Sequence, residues 1–218
     1  MSLLERVQST VSAVKIFPLP SVVLFPGAAV PLHIFEPRYR QMVRESLAGD
    51  RVLALAQLVP GWEGDYQGRP PMRPLCCVGV IGWHEVLDEG RFNVIVQGVV
   101  RARILEERSP EAPYRVARVS PLPDAPFEGA EVEALRRALF DLATRAPGEG
   151  SRSLLQLAMH AQGGGLADLV ASATVGEVQR RQELLEMLEV PARLRSVLSD
   201  VSELAARLGT PGPDGAPN

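Results

Sequence analysis

The sequence predicts an α+β fold: a small β pseudo-barrel with one inserted helix, followed by an α-helical bundle. Three observations predict it. Up to Pro123, short apolar runs are punctuated by Pro and Gly turns, as in a barrel of short strands. Beyond Pro123, apolar residues recur at helical spacing. The charge balance changes at the same place: residues 1–123 hold 14 basic and 12 acidic residues, whereas 124–218 hold 9 and 14. The expected division is 1–123 for the barrel, 124–210 for the bundle and 211–218 for a disordered tail. Pro211–Asn218 has three prolines and two glycines and little to bury.

Each element has its own signal. Leu3, Leu4, Val7, Val11 and Val14 lie at helical spacing. Ile16–Leu19 and Val22–Phe25 are short apolar runs broken by Pro18, Pro20 and the Pro26-Gly27 turn. Val30–Phe35 reads as a strand. Glu36-Pro37 then starts a helix, with Pro at its first position, where no N–H is needed. Tyr39, Met42, Val43 and Leu47 share its face, and Gly49 stops it. Arg51–Leu58 is apolar enough for a buried strand. Val59–Pro74 is a Gly/Pro-rich loop of sixteen residues, a length usually reserved for function. Leu75–Leu87 and Arg91–Leu105 form a hairpin across Asp88-Glu89-Gly90. In its second arm Phe92, Val94, Val96, Val100, Ala102 and Ile104 share one face. Arg91, Asn93, Gln97, Arg101 and Arg103 share the other, interrupted by Ile95 and Val99 and expected to be solvated. Tyr114–Pro121 closes the set. In the bundle, Val132, Leu135, Leu139 and Leu142 mark one helix, and Leu154, Leu155 and Ala158 a second. Leu166–Ala173 is a third, and Thr174-Val175-Gly176-Glu177 reads as a capping-box start for a fourth. Pro191 opens a fifth, with Leu194, Val197, Leu198, Val201, Leu204, Ala205 and Leu208 on one stripe.

Composition excludes several kinds of chemistry. The 23 basic residues are 22 arginines and one lysine, Lys15, which no glycine precedes. A phosphate loop of the G-x-x-x-x-G-K-[ST] type is therefore absent, and a Ser–Lys dyad or Schiff base is not expected. Cys76 and Cys77 are adjacent and read as buried free thiols. Two sulfurs cannot make a structural zinc cage, and neither a metal nor a cofactor is expected. No signal-peptide core and no apolar run long enough to cross a bilayer occurs, so a cytoplasmic protein without a membrane partner is expected. A net charge of −3 argues against a general nucleic-acid binder.

Four blocks carry a resemblance. They are Phe17-Pro18-Leu19-Pro20 with Val23-Leu24-Phe25-Pro26-Gly27; Pro31-Leu32-His33-Ile34-Phe35-Glu36-Pro37-Arg38-Tyr39-Arg40; Val94 to Ile104 around Gln97-Gly98; and Leu166-Ala167-Asp168-Leu169 with Gln182-Glu183-Leu184-Leu185-Glu186 and Arg193-Leu194. In this order they resemble the N-terminal substrate-binding domain of Lon protease in a free-standing form. The resemblance implies a six-stranded PUA-like pseudo-barrel followed by a helical bundle. It implies structural roles for Pro26, Gly27, Pro31, Phe35, Glu36, Pro37, Arg38, Tyr39, Gly98 and Arg101. It further implies a non-catalytic module that binds unfolded or specific polypeptide partners, with a separate protease or ATPase as a further partner. The ATPase and Ser–Lys peptidase parts of full-length Lon have no counterpart in these residues.

The candidate partner-binding residues are Trp62, Tyr66 and Met72, because aromatics and Met in an otherwise polar loop are the types that anchor partners. The alternative is a lid over the barrel's own core. His33, His84 and His160 lack a placed Ser, Cys or carboxylate and read as structural. Gly163-Gly164-Gly165 reads as a flexible connector rather than an anion cradle. An RNA-binding module is the other function considered, against which the barrel's charge balance of only +2 counts.

Overall fold

The computed structural model describes residues 2–209, and the tail expected at 211–218 lies outside them. Two compact units divide at Pro123 and Asp124.

The first unit begins with a short helix, α1 (Leu3–Gln8), capped reciprocally by Ser2 and Glu5. Its register does not continue to Val14, as the apolar spacing suggested; Val14 already opens β1 (Val14–Leu19). After β1 come β2 (Ala29–Ile34), α2 (Pro37–Ala48), β3 (Val52–Gln57), β4 (Leu75–Val86), β5 (Phe92–Glu107) and β6 (Arg115–Pro121). The strand order is β2-β5-β4-β3-β1-β6, and β6 also pairs with β5. Five strands thus close on themselves, and β2 is added at the edge. The length of β5 makes this possible: residues 92–97 pair with β2 and residues 102–107 with β6. The enclosed core is built from small side chains. Ile16, Val52, Ala54, Ala56, Cys76, Val78, Val100, Ala102, Ala117 and Val119 fill it, and Val7 of α1 packs with them. A ring of five strands leaves little interior width, which suits Val and Ala.

The Val22–Phe25 run is not a strand. Val23, Leu24 and Phe25 are buried in coil, with Leu24 against Gly79 of β4 and Phe25 against Gly98 of β5. It ends in a turn with Pro26 and Gly27 at its centre, Gly27 at φ +77° and Ala28 N–H donating to Phe25 C=O at 3.1 Å. The turn is tied to β5 twice: Gly27 N–H donates to Gly98 C=O at 2.9 Å, and Gly98 N–H donates to Ala28 C=O at 2.8 Å. A Cβ on Gly98 would stand 2.1 Å from the Phe25 carbonyl oxygen, so only glycine fits.

The expectation of a solvated Arg101 is corrected by its burial. Arg101 is only 2% exposed and is one of the largest fully buried side chains. It sits opposite Cys77 of β4, itself wholly buried, so this position of β5 is closed to water on the face where alternation expects solvent. Arg103 stays exposed, as expected. Both cysteines are free and buried, and burial pushes the Cys76 thiol up to about 12.

The second unit is helical: α3 (Ala130–Arg145), α4 (Glu149–His160), α5 (Gly163–Thr174), α6 (Val178–Glu186) and α7 (Val190–Gly209). The α7 helix packs against both α3 and α5 through Leu194, Val197, Val201 and Ala205. Two expectations change here. Gly163-Gly164-Gly165 is not a connector but the first turn of α5. Gly164 lets the Asp124–Arg193 pair come close: a Cβ there would lie 2.0 Å from an Asp124 carboxylate oxygen and 2.2 Å from Arg193 Nη2, so both side-chain ends would have to shift. Thr174 does not cap a fourth helix; it ends α5 and donates to Val170 C=O at 2.8 Å. The next helix starts at Val178 with Glu177 as N-cap and no side-chain cap.

Arg193 is a buried ion of this unit. Its Nη2 pairs with Asp124, and its Nη1 donates to Met187 C=O at 2.6 Å. Its Nε lies 3.1 Å from Asp168, close enough for an ion pair but without the alignment of a hydrogen bond. Among the described residues, no helix is long and apolar enough to cross a membrane.

Candidate functional site

The strand-to-helix corner at Glu36-Pro37 is the seed of the first candidate surface. Pro37 opens α2, which sends Arg38 and Tyr39 off the same turn. The Arg38 guanidinium lies 4.7 Å from the Tyr39 ring centroid and 4.9 Å from that of Tyr66. Its Nε donates to Glu36 at 3.1 Å and its Nη2 to the Tyr66 carbonyl at 3.2 Å. The other Glu36 oxygen accepts from the Tyr66 hydroxyl. Glu36 and Arg38 therefore do more than fix the corner: they hold the 59–74 loop against α2. Burial, opposed by the neighbouring Arg38, pushes the Tyr39 phenol up to about 12. Burial and the bond to Glu36 raise Tyr66 as well.

The loop itself is more ordered than its composition suggests. Trp62–Asp65 forms a turn of 3₁₀ helix after Gly61, which takes φ +93°. Trp62 meets Tyr66 edge to face, with ring centroids 5.3 Å apart. Met72 departs from the expectation of an exposed anchor: it bridges to Leu58 and packs against the barrel core. Trp62 and Tyr66 are half-buried.

Beside this loop opens a cleft of about 200 Å³. Pro18, Tyr39, Leu58, Tyr66, Pro70 and Tyr114 give it aromatic and apolar walls, and Arg38, Arg69 and Arg115 give it cations. Arg115 fixes the wall between the 59–74 loop and β6. It binds Glu107 through two nitrogens and donates to Pro70 C=O at 2.6 Å. These bonds hold the Glu107 carboxyl below the usual glutamate range. Among the described residues, no Ser, Thr, Cys, His, Asp or Glu lines the cleft. Its groups can donate hydrogen bonds, hold a charge and stack on a flat ligand.

A second surface lies on the outer face of β2, β5 and β4. Pro31 of β2 stands opposite Ile95 of β5, which stands opposite Trp83 of β4. The next row on the same face is His33, Asn93 and Glu85. His33 and Asn93 share a hydrogen bond of 2.8 Å, and Asn93 donates to Glu85 at 3.0 Å. Phe35 stacks on His33 with ring centroids 6.1 Å apart. Phe35 is 60% exposed, Trp83 49% and Ile95 37%. Large apolar side chains contiguous across three strands and left open to water mark interaction sites.

Sequence alternation hid this surface. Ile81 is buried opposite Val96, and Trp83, two residues on, should share its inward face. A bulge between Ile81 and Trp83 turns Trp83 outward. The available signal was Gly82, since an isolated Gly in a strand marks a bulge. Of the residues expected to be structural, Pro31 and Phe35 therefore also help form an exposed face. Pro26, Gly27, Glu36, Pro37, Arg38, Tyr39 and Gly98 lie in the turn and corner described above. His84 is half-buried beside Trp83, and His160 ends α4. Among the described residues no three His, Cys, Asp or Glu side chains are placed to hold a metal ion.

Comparison with known proteins adds the following. The family described as "ATP-dependent protease La (LON) substrate-binding domain" matches residues 13–202. The Lon protease of Syntrophus aciditrophicus (strain SB) is 32% identical over 200 residues, covering 84% of this chain and 25% of that protein. Lon protease 2 of Sorangium cellulosum (strain So ce56) is 31% identical over 207 residues, covering 87% and 24%. The chain thus spans about a quarter of the length of these curated relatives. Among solved structures, the N-terminal domain of Mycobacterium avium complex Lon protease superposes with a TM-score of 0.68 at 19% identity, covering 88% of this chain and 99% of that one. The Lon N-terminal domain protein from Xanthomonas campestris gives 0.64 at 22% identity, covering 86% and 98%. At these identities the structural likeness concerns the fold.

Proposed function

Because the chain belongs to the LON substrate-binding domain family, we propose that it recognises exposed apolar segments of unfolded polypeptides and neither hydrolyses ATP nor cleaves peptide bonds. The observation that carries this reading is the apolar row Pro31–Ile95–Trp83, extended by Phe35, open to water on three adjacent strands. Burying large side chains such as these is the main source of affinity in protein recognition, and aromatic anchors dominate it. A folded protein hides its own apolar residues and offers such a face little. An unfolded one exposes them. Composition supports the lack of such chemistry: the lone lysine, Lys15, lies in β1 with no glycine loop before it.

The test is fluorescence anisotropy of a labelled, reduced and carboxymethylated model protein titrated with this chain, beside the same protein in native form. Binding of the unfolded form and not of the native form is expected, with neither ATP consumed nor peptide released. Equal affinity for the two forms, or turnover of either substrate, would overturn the reading.

A further inference from the structure

The cleft between the 59–74 loop and the start of β6 carries an excess of positive charge beside apolar walls. Two carboxylates, Glu36 and Glu107, are bound to its three guanidiniums. Asp65 lies outside the lining, beside Gly68. Glu45, bonded to Tyr114, faces Lys15 and Arg44 instead. The surplus is borne by Arg69. Its single ion pair among the described residues is 3.7 Å long, to the same Glu107 oxygen that already accepts from Arg115 Nε at 2.9 Å. The Arg69 side chain is 38% exposed, and its fork is open to a new partner. The Nη1 of Arg38 likewise has no partner among the described residues. Around these donors stand Tyr39, Tyr66, Pro18 and Pro70, which accept an apolar or flat group and little water.

We propose that this cleft binds a carboxylate carried next to an apolar side chain of the captured polypeptide, with Arg69 as its principal ion partner. The shared chemistry is a carboxylate beside an apolar residue. Its source is either the C-terminal carboxylate of a chain or an Asp or Glu within it. The proposal rests on the polypeptide-recognition reading above and adds a polar anchor to it. Fork-shaped guanidinium donors match a planar carboxylate, and charged hydrogen bonds in a half-buried cleft are stronger than neutral ones.

The experiment uses the full chain and three short peptides of otherwise identical neutral sequence: a free acid ending in Phe, its C-terminal amide, and an amide with Asp beside Phe. At least one acidic peptide should bind roughly tenfold or more tightly than the neutral amide, and the margin should shrink as salt is raised. Preference for the free acid alone assigns the terminal carboxylate; preference for both acids assigns side chains as well. Arg69→Gln should abolish the preference, whereas Arg118→Gln, an exposed arginine on β6 outside the cleft, should leave it. Equal affinity for all three peptides, including no binding of any, overturns the proposal. So does a preference that survives Arg69→Gln. The broader reading is judged apart from this, by the unfolded protein in the same assay: if that binds while the peptides are not told apart, only the cleft proposal falls.

Discussion

Gly98→Ala is the sharpest test of how the first unit is held together. The new Cβ would stand 2.1 Å from the Phe25 carbonyl oxygen and 2.9 Å from its carbon, both backbone atoms that cannot rotate aside. The turn must lift, and lifting it breaks the two hydrogen bonds that Gly27 and Ala28 make with Gly98. Each is worth about 1 kcal/mol net, and overpacking adds about 1–3 kcal/mol. The expected loss is about 3–5 kcal/mol. Both tryptophans, Trp62 and Trp83, lie in this unit, so their fluorescence in urea reports its unfolding alone. At a slope of about 1.5 kcal/mol per molar, a 3 kcal/mol loss lowers the midpoint by about 2 M. Two companions calibrate the result. Gly82→Ala meets nothing closer than Ile95 C=O at 3.9 Å and should change stability by less than about 0.5 kcal/mol. Gly27→Ala has open space but a φ of +77°, and should cost about 1 kcal/mol from backbone strain alone. If Gly98→Ala falls within about 1 kcal/mol of Gly82→Ala, the turn does not press on β5 and the reasoning fails.

Three further outcomes are expected. In the helical unit, Asp168→Ala leaves the wholly buried Arg193 short of an anion and should cost about 3 kcal/mol; a loss under about 1 kcal/mol by far-UV circular dichroism would contradict the buried pair. Arg115 lowers the Glu107 carboxyl from its ordinary value of 4.5, so the pair stabilises the fold above that pH and its contribution is lost as pH falls below 4.5 through the folded-state value. Glu107→Gln should therefore be less stable near neutrality and lose stability less steeply on acidification, and parallel acid-unfolding curves would refute the link. Cys76 and Cys77 should resist a thiol reagent at mildly alkaline pH until the chain is unfolded, since both are buried and the Cys76 thiol is pushed up to about 12; rapid labelling of the native protein would show the barrel to be open.

What could be read in the sequence was local. The Pro26-Gly27 turn, the Glu36-Pro37 helix start and the Asp88–Gly90 reversal each need particular residues at adjacent positions, and each occurs where those residues stand. What escaped was set by distant neighbours. Alternation along β5 assigns Arg101 to a solvated face but carries no sign that this position, opposite the buried Cys77, is closed to water. Gly163–Gly165 reads as flexible because the groups that pack against Gly164, Asp124 and Arg193, are remote in sequence. For the candidate sites the limit was the bulge at Gly82. One extra residue reverses the facing of Trp83, and with it the apparent purpose of the strand. The 59–74 loop stands out in the sequence by its length and its aromatics. That Tyr66 would close on Arg38 and Glu36, and Met72 turn inward, depends on contacts some thirty residues away in one case and on the core in the other.

The central claim is that the face made by Pro31, Ile95, Trp83 and Phe35 captures unfolded chains. The most direct measurement is the affinity of the unfolded model protein for the Trp83→Ser, Ile95→Ser double variant beside the unaltered chain, with circular dichroism confirming that both are folded. Both side chains are exposed, so folding should be intact, while the loss of two apolar anchors should weaken binding by roughly tenfold or more. Undiminished affinity in a folded double variant would contradict the claim and place recognition elsewhere on the molecule.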